Sequence, residues 1–343
     1  MKKEREIWID NVKVFACVLV ALGHFLQSMT KSQIVEASFF TQWFDNTVYF
    51  FHVPLFFVCS GYLYQKYSRV ETFGGWKTHA LKKLITLGVP YFVFTFATWL
   101  LKTVFSGAVN TESGGLLETL FIFPTAPYWF LYALFFLFLI IPTFRGQRTM
   151  IVVMAVTLIW KLVYSWTGEL PVYLLSVVMA NAVWFAGGMV LAKTDILKKC
   201  RGAVWLLAGI GAMAAFLALS VFFHDLRTEN LLVGFGMGLL ACSGVLLIMN
   251  CLFSGQKQSP VWGFMARYTM PVFLMHTIFA AGWRSVLMKV GVSSPLIHVV
   301  TGLIITFAGP IAAAWIMSKI KFLDFLINPG RYIRIGKKKS AVK

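Results

Sequence analysis

The sequence predicts an all-α fold: a polytopic membrane bundle of about ten transmembrane helices with both termini cytoplasmic. Three observations lead there. The 343 residues are 59% hydrophobic and only 13% charged, about half the charge of a soluble globule, and the mean hydropathy is +0.76. Apolar runs of roughly twenty residues, the length that spans a bilayer as a helix, recur along the whole chain. They are too long and too continuous for barrel strands, and β alternation is absent.

The third observation is the charge distribution. The spans are 12–29, 46–64, 82–105, 128–142, 150–166, 171–192, 203–223, 231–253, 264–288 and 295–318. With a cytoplasmic N-terminus, Lys and Arg number 24 inside and 6 outside, and Asp and Glu number 6 inside and 7 outside. Lys13 lies within the first span. That asymmetry is the positive-inside pattern, and it accounts for the net charge of +18 through contact with anionic headgroups. A nucleic-acid partner is excluded on the same ground.

The first span lies in "WIDNVKVFACVLVALGH" (8–24). "MKKER" before an apolar run resembles a signal peptide. The run carries Asp10, Lys13 and His24 and lacks an A-x-A site, so it reads as an uncleaved helix. Eleven steps of 100° put Lys13 and His24 within 20° of one another on one face, about 16 Å apart along the axis. Lys13 is then at the cytoplasmic mouth and His24 near the bilayer middle, beside Gly23, which leaves room for close approach. Ionisable groups at that depth cost several kcal/mol. Two readings are open: a functional site, or a snorkelling lysine with a hydrogen-bonded core histidine.

The second span, "DNTVYFFHVPLFFVCSGYLY", carries Tyr49 and His52 in its outer half and Ser60 near its cytoplasmic end. Pro54 predicts a kink, and "SGY" predicts tight helix contact. His52 fits a structural or a functional role, and Ser60 fits packing first. The third span follows a basic loop, 65–83, and opens on Lys82 and Lys83, either positive-inside residues or an anion grip. An acidic outer loop, 106–128, leads into "PYWFLYALFF", where Tyr128 and Trp129 read as an aromatic belt or a sugar-stacking pair.

The absence of a fixed-period repeat weakens an inverted-repeat transporter. The ninth span places His276 near mid-depth and Arg284 toward the outside. His24, His52 and His276, on three helices, could converge on one cavity. A basic tail follows the tenth span. The loops are short, so residues 1–343 read as a single domain. The five cysteines form no C-x-x-C pair, and no metal, G-x-S-x-G or Walker signature occurs. What remains is an imidazole general base above basic groups at the cytoplasmic mouth.

"WIDNVKVFACVLVALGH", "FHVPLFFVCSGYL", "YWFLYALFF" and "RYTMPVFLMHTIF", in that order, resemble the acyltransferase-3 family of integral membrane O-acyltransferases. The likeness is to the subgroup of fucose O-acetylases and the enterobacterial common antigen O-acetyltransferase. The resemblance implies a multi-pass enzyme of a bacterial cytoplasmic membrane, in its stand-alone form, without a metal. The donor is usually acetyl-CoA from the cytoplasm. The acceptor is a glycan or glycolipid hydroxyl at the other face.

By that resemblance His24 is the catalytic histidine, with Asp10 beside Lys13 either in the catalytic set or neutralising it. The CoA phosphates would rest on Lys13, Lys82 and Lys83. Lys13 stands where the family most often has arginine. "KKLIT" departs from the family's R-x-x-R, with Lys83 aligned and Thr86 in place of the second base. Acceptor contacts are expected among Tyr49, His52, Ser60, Tyr128, Trp129, His276 and Arg284. Rival readings are a lipid-linked glycan flippase or exporter, the same fold using succinyl-CoA, and a non-enzymatic partner of a cell-wall synthase.

Overall fold

The computed structural model describes residues 6–68, 70–106, 114–333 and 335. Residues 1–5, residues 107–113 of the acidic loop and most of the basic tail lie outside them. The described residues contain helices and no strand. In chain order these are α1 (Ile7–Lys31), α2 (Phe39–Tyr49), α3 (His52–Tyr67), α4 (Phe73–Lys83), a π turn (Leu84–Gly88), α5 (Val89–Val104), α6 (Leu116–Phe121), α7 (Trp129–Ile140), α8 (Gln147–Thr167), α9 (Tyr173–Thr194), α10 (Ile196–Lys199), α11 (Ala203–Phe223), α12 (Leu226–Glu229), α13 (Leu231–Phe253), α14 (Pro260–Lys289), α15 (Pro295–Met317) and α16 (Lys321–Ile327).

Each of the ten predicted spans falls on a helix or on consecutive helices. Among the described residues eight stretches are long and apolar enough to cross a membrane, which makes this a multi-pass membrane protein. The other two predicted spans differ from those eight in identifiable ways. Helix α7 has 12 residues, about 18 Å, short of the roughly 30 Å hydrocarbon core. Helix α14 has 30 residues but carries Arg267, His276 and Arg284.

Three boundaries move, each for a local reason. Helix α2 begins at Phe39 instead of residue 46, because Ser38 and Thr41 form a reciprocal capping box. The second span is broken at Phe50–Phe51, four residues before the proline. Pro54 has no N–H for the Phe50 carbonyl and its ring crowds that group. The predicted basic loop 65–83 is mostly helix, since the Thr72 side chain caps α4 by accepting from the Gly75 N–H. The π turn joins α4 to α5 just before Pro90, which cannot donate to the carbonyl four residues back.

Long-range contacts define two ends of the bundle. At the end where α1 starts, Glu6 pairs with Lys66 and accepts from Tyr67 at 3.1 Å. Here too Gln258 donates to Asn11 at 2.8 Å, and Trp76 donates to the Leu139 carbonyl at 3.0 Å. At the end where α1 finishes, Gln27 meets Asp45 and Arg284 meets Ser28. Near the first end, Asp324 of α16 accepts from Asn328, Arg331 and Tyr332. Burial pushes its carboxyl up, but those hydrogen bonds and the Arg331 charge hold it below its ordinary value.

Lipid is as apolar as a leucine side chain, so close packing and small residues hold such helices together. The tightest crossing is α3 on α9. A Cβ on Gly61 would collide with the Phe185 carbonyl, and one on Gly188 with the Val58 carbonyl. The close contact expected of "SGY" is therefore a reciprocal glycine-on-carbonyl junction. Around it the core is aromatic: Phe57, Phe130 and Phe273 meet edge to face with centroids 4.9 and 5.7 Å apart.

Candidate active site

The three intramembrane histidines do come together. His24 and His276 lie with ring centroids 5.4 Å apart. His52 reaches them through Tyr49, whose ring is 4.5 Å from that of His52 and 6.1 Å from that of His24. The Tyr49 hydroxyl is 3.3 Å from His24 Nδ1. Gly23 permits this approach, since a Cβ there would stand 3.1 Å from Tyr49 Cε2. The break at Phe50–Phe51 turns Tyr49 at the end of α2 and His52 at the start of α3 toward one point.

Backbone carbonyls fix the other two imidazoles. His52 Nδ1 donates to the Val48 carbonyl at 2.7 Å. His276 Nδ1 lies 2.9 and 3.0 Å from the Val272 and Phe273 carbonyls, one helical turn back. A carbonyl only accepts, so Nδ1 carries the proton in each ring, and Nε2 holds the lone pair when the ring is neutral. His276 Nε2 is buried and has no hydrogen-bond partner among the described residues. His24 alone of the three bonds to a side chain.

His24, Gln27, Tyr49, His52 and Trp129 line a cavity of about 200 Å³ with Phe56, Phe130 and Phe273 among its apolar walls. A few polar groups on an apolar wall is the usual composition of a small-ligand pocket. The cavity lies beyond the bundle's centre. Helix α1 runs from 7 to 31, so His24 is five residues past its midpoint, about 8 Å toward the end where α1 finishes. The sequence reading set it nearer the middle because it started the helix at residue 12.

Other expected residues lie elsewhere. Tyr128 is fully buried outside the cavity; its hydroxyl donates to the Leu274 carbonyl at 2.8 Å and bonds Thr98 at 2.9 Å. Its place in the structure is a strut between helices, while Trp129 keeps the cavity wall. Ser60 precedes Gly61 at the α3–α9 crossing and does not line the cavity. Arg284 Nη1 donates to the Ser28 hydroxyl at 2.6 Å and to its carbonyl at 3.2 Å, tying α14 to the last turn of α1.

Asp10 and Lys13 lie half-buried in α1, close enough to act electrostatically on Cys59 of α3. Lys82 is exposed at the end of α4, and Lys83 holds its ammonium 3.5 Å from the centroid of Phe138 in α7. Among the described residues no group of three or more His, Cys, Asp or Glu could hold a metal, and all five cysteines are free thiols.

Sequence reasoning missed Gln27 and Asp45. Gln27 donates to both Asp45 oxygens, at 2.9 and 3.0 Å, beside the His24–Tyr49 pair. Spacing held a signal: Gln27 is three residues after His24 and Asp45 four before Tyr49, so each shares a helix face with a residue already singled out.

A family model described as an acyltransferase domain, of the acyltransferase-3 type, matches residues 6–315. No curated protein matches the chain, and no solved structure does.

Proposed function

The chain belongs to the acyltransferase-3 family, and from that premise we propose that it is an O-acetyltransferase with His24 as general base. It moves an acetyl group from cytoplasmic acetyl-CoA to a hydroxyl of a glycan or glycolipid at the opposite face. The reading places it with the fucose O-acetylase and enterobacterial common antigen O-acetyltransferase subgroup. It also sets the enzyme in a bacterial cytoplasmic membrane as one unit over residues 1–343, both termini inside. The observation that carries it is His24, 3.3 Å from the Tyr49 hydroxyl, on the wall of a cavity about 200 Å³ in volume. Lys13 lies on the same face of α1, about 16 Å below.

Each residue then has a task. Lys13 faces the CoA phosphates, with Lys82 and Lys83 as further cationic groups at the same end. Asp10, one turn before Lys13, balances its charge. The pantetheine arm follows α1 to His24. His24 takes the proton of the acceptor hydroxyl as that oxygen bonds the thioester carbonyl carbon. The C–S bond breaks, its electron pair leaves with the CoA sulfur, and the imidazolium returns the proton to that thiolate. Tyr49 holds the His24 ring. His52, on the cavity wall, offers an Nε2 lone pair that accepts from an acceptor hydroxyl, the buried His276 stands behind His24, and Trp129 gives a sugar a stacking face.

Membranes carrying the chain test this with labelled acetyl-CoA and labelled succinyl-CoA side by side. Acetyl label should enter a glycan or glycolipid fraction, and succinyl label should not; the reverse would reassign the donor. Lys13→Ala should raise the KM for acetyl-CoA about tenfold with kcat within about twofold, the loss expected for one charge-assisted hydrogen bond. An unchanged KM would remove Lys13 from the donor site. Tyr49→Phe should lower kcat roughly tenfold at constant KM, because the ring stays while its hydrogen bond to His24 goes.

A further inference from the structure

The end of the bundle where α1 finishes has few cations. Of the chain's 31 lysines and arginines, Lys31, Arg227 and Arg284 gather beside the cavity at that end. Arg284 is committed to Ser28. Lys31, in the last turn of α1, is exposed but acts electrostatically on both His24 and Asp45. Arg227 is held differently. It comes from α12, between α11 and α13, and lays its guanidinium over the Tyr49 ring at 5.3 Å from the centroid. Its Nε donates to Asn46 Oδ1 at 3.3 Å.

Two of the three ways a guanidinium can be fixed are therefore in use: the face by Tyr49 and the Nε edge by Asn46. The Nη fork makes no ion pair or hydrogen bond among the described residues. Asp45, the carboxylate that acts electrostatically on Arg227, has both oxygens engaged by Gln27. A half-buried fork whose plane is already set, with two adjacent N–H donors open, is pre-organised for a bidentate oxyanion. The Tyr49 ring that carries Arg227 on its face carries His24 at its hydroxyl. An anion on the fork and a hydroxyl at His24 are thus one tyrosine apart.

We propose that Arg227 selects the acceptor, binding a carboxylate or phosphate on the same molecule whose hydroxyl meets His24. This deepens the acetyl-transfer reading and rests on it for the hydroxyl; the anion site stands on its own geometry. The acceptor class is an acidic glycan or a phosphate-bearing glycolipid, and Lys31 adds long-range attraction toward it.

The test pairs binding with transfer on the full-length protein in detergent. Equilibrium dialysis measures glucose, glucuronate and glucose 1-phosphate on the wild type, Arg227→Gln and His24→Gln. The anionic sugars should bind the wild type and His24→Gln at least tenfold more tightly than glucose, and Arg227→Gln should lose that preference. Arg227→Lys should recover only part of it, since an ammonium lacks the fork. Glucuronate above glucose 1-phosphate assigns a carboxylate acceptor, and the reverse order assigns a phosphate. Equal wild-type affinity for all three overturns the proposal, as does a loss in Arg227→Gln that is the same for neutral and anionic sugars, the mark of a mere prop for Tyr49. In parallel, wild-type transfer from labelled acetyl-CoA is followed into the same sugars. Anion binding without any transfer would overturn the acetyl-transfer reading and leave the Arg227 site intact. Transfer without anion preference would do the opposite.

Discussion

His24→Gln is expected to bind acetyl-CoA with wild-type affinity and to transfer acetyl about 10²- to 10⁴-fold more slowly, the range that a positioned acid–base group contributes. Glutamine is the informative replacement. It fills much of the imidazole's volume and can still bond the Tyr49 hydroxyl, so the cavity wall and the Gly23–Tyr49 contact survive. What it cannot do is accept and return a proton. His24→Ala should be at least as slow, with the added cost of a void between α1 and α2.

His276→Gln is the necessary comparison, because the two rings lie only 5.4 Å apart. The backbone holds its Nδ1, so it contributes a hydrogen-bond acceptor, and its loss should cost roughly tenfold. If His276→Gln were the slower of the two, the general base would be His276. Retention of more than a tenth of wild-type transfer by His24→Gln would end its assignment as base. Acid-quenching the wild type during turnover adds one distinction: label that stays on the protein marks a relay through an acyl-histidine, and its absence marks direct transfer.

The amino-acid pattern reveals the spans and little of what lies between them. Hydropathy locates all eight helical stretches among the described residues that are long and apolar enough to cross, because lipid demands about twenty apolar residues whatever the neighbours are. Helical spacing likewise puts Lys13 and His24 on one face of α1, since that relation lies within one element. The three histidines meet through tertiary packing, which spacing alone does not encode. The local cause is visible in hindsight: Pro54 sits four residues after Phe50, and the chain breaks there to bring Tyr49 and His52 to one point. Tyr128 and Trp129 show the limit. They are neighbours in an aromatic cluster, yet one is a buried strut and the other a cavity wall, because successive positions on a helix point about 100° apart. Arg227 was legible only as a charge on the outer side; its stacking on Tyr49 depends on how α12 folds back over α2.

Gly61→Val should be the most damaging single substitution away from the cavity. Its Cβ would collide with the Phe185 carbonyl oxygen. That atom belongs to the α9 backbone and has no rotamer by which to move aside. Overpacking that side chains can absorb costs about 1–3 kcal/mol; here two helices must separate, so a cost above about 3 kcal/mol is expected. Gly188→Val should match it, since that Cβ meets the Val58 carbonyl from the other side. Helix α3 also carries His52, so both variants should lose acetyl transfer along with stability. Gly187, one residue before Gly188, has nothing within 4 Å of its Cβ position. Gly187→Ala should therefore be neutral or stabilising by up to about 1 kcal/mol, the helix-propensity gain. Thermal unfolding of the purified protein in detergent, read by size-exclusion after heating, separates the three variants. If Gly187→Ala fell as far as Gly61→Val, the cause would be general intolerance of α9 to added volume. With Gly188→Ala as the matched substitution, a sharp difference between the adjacent glycines comes from the Val58 carbonyl that one of them faces.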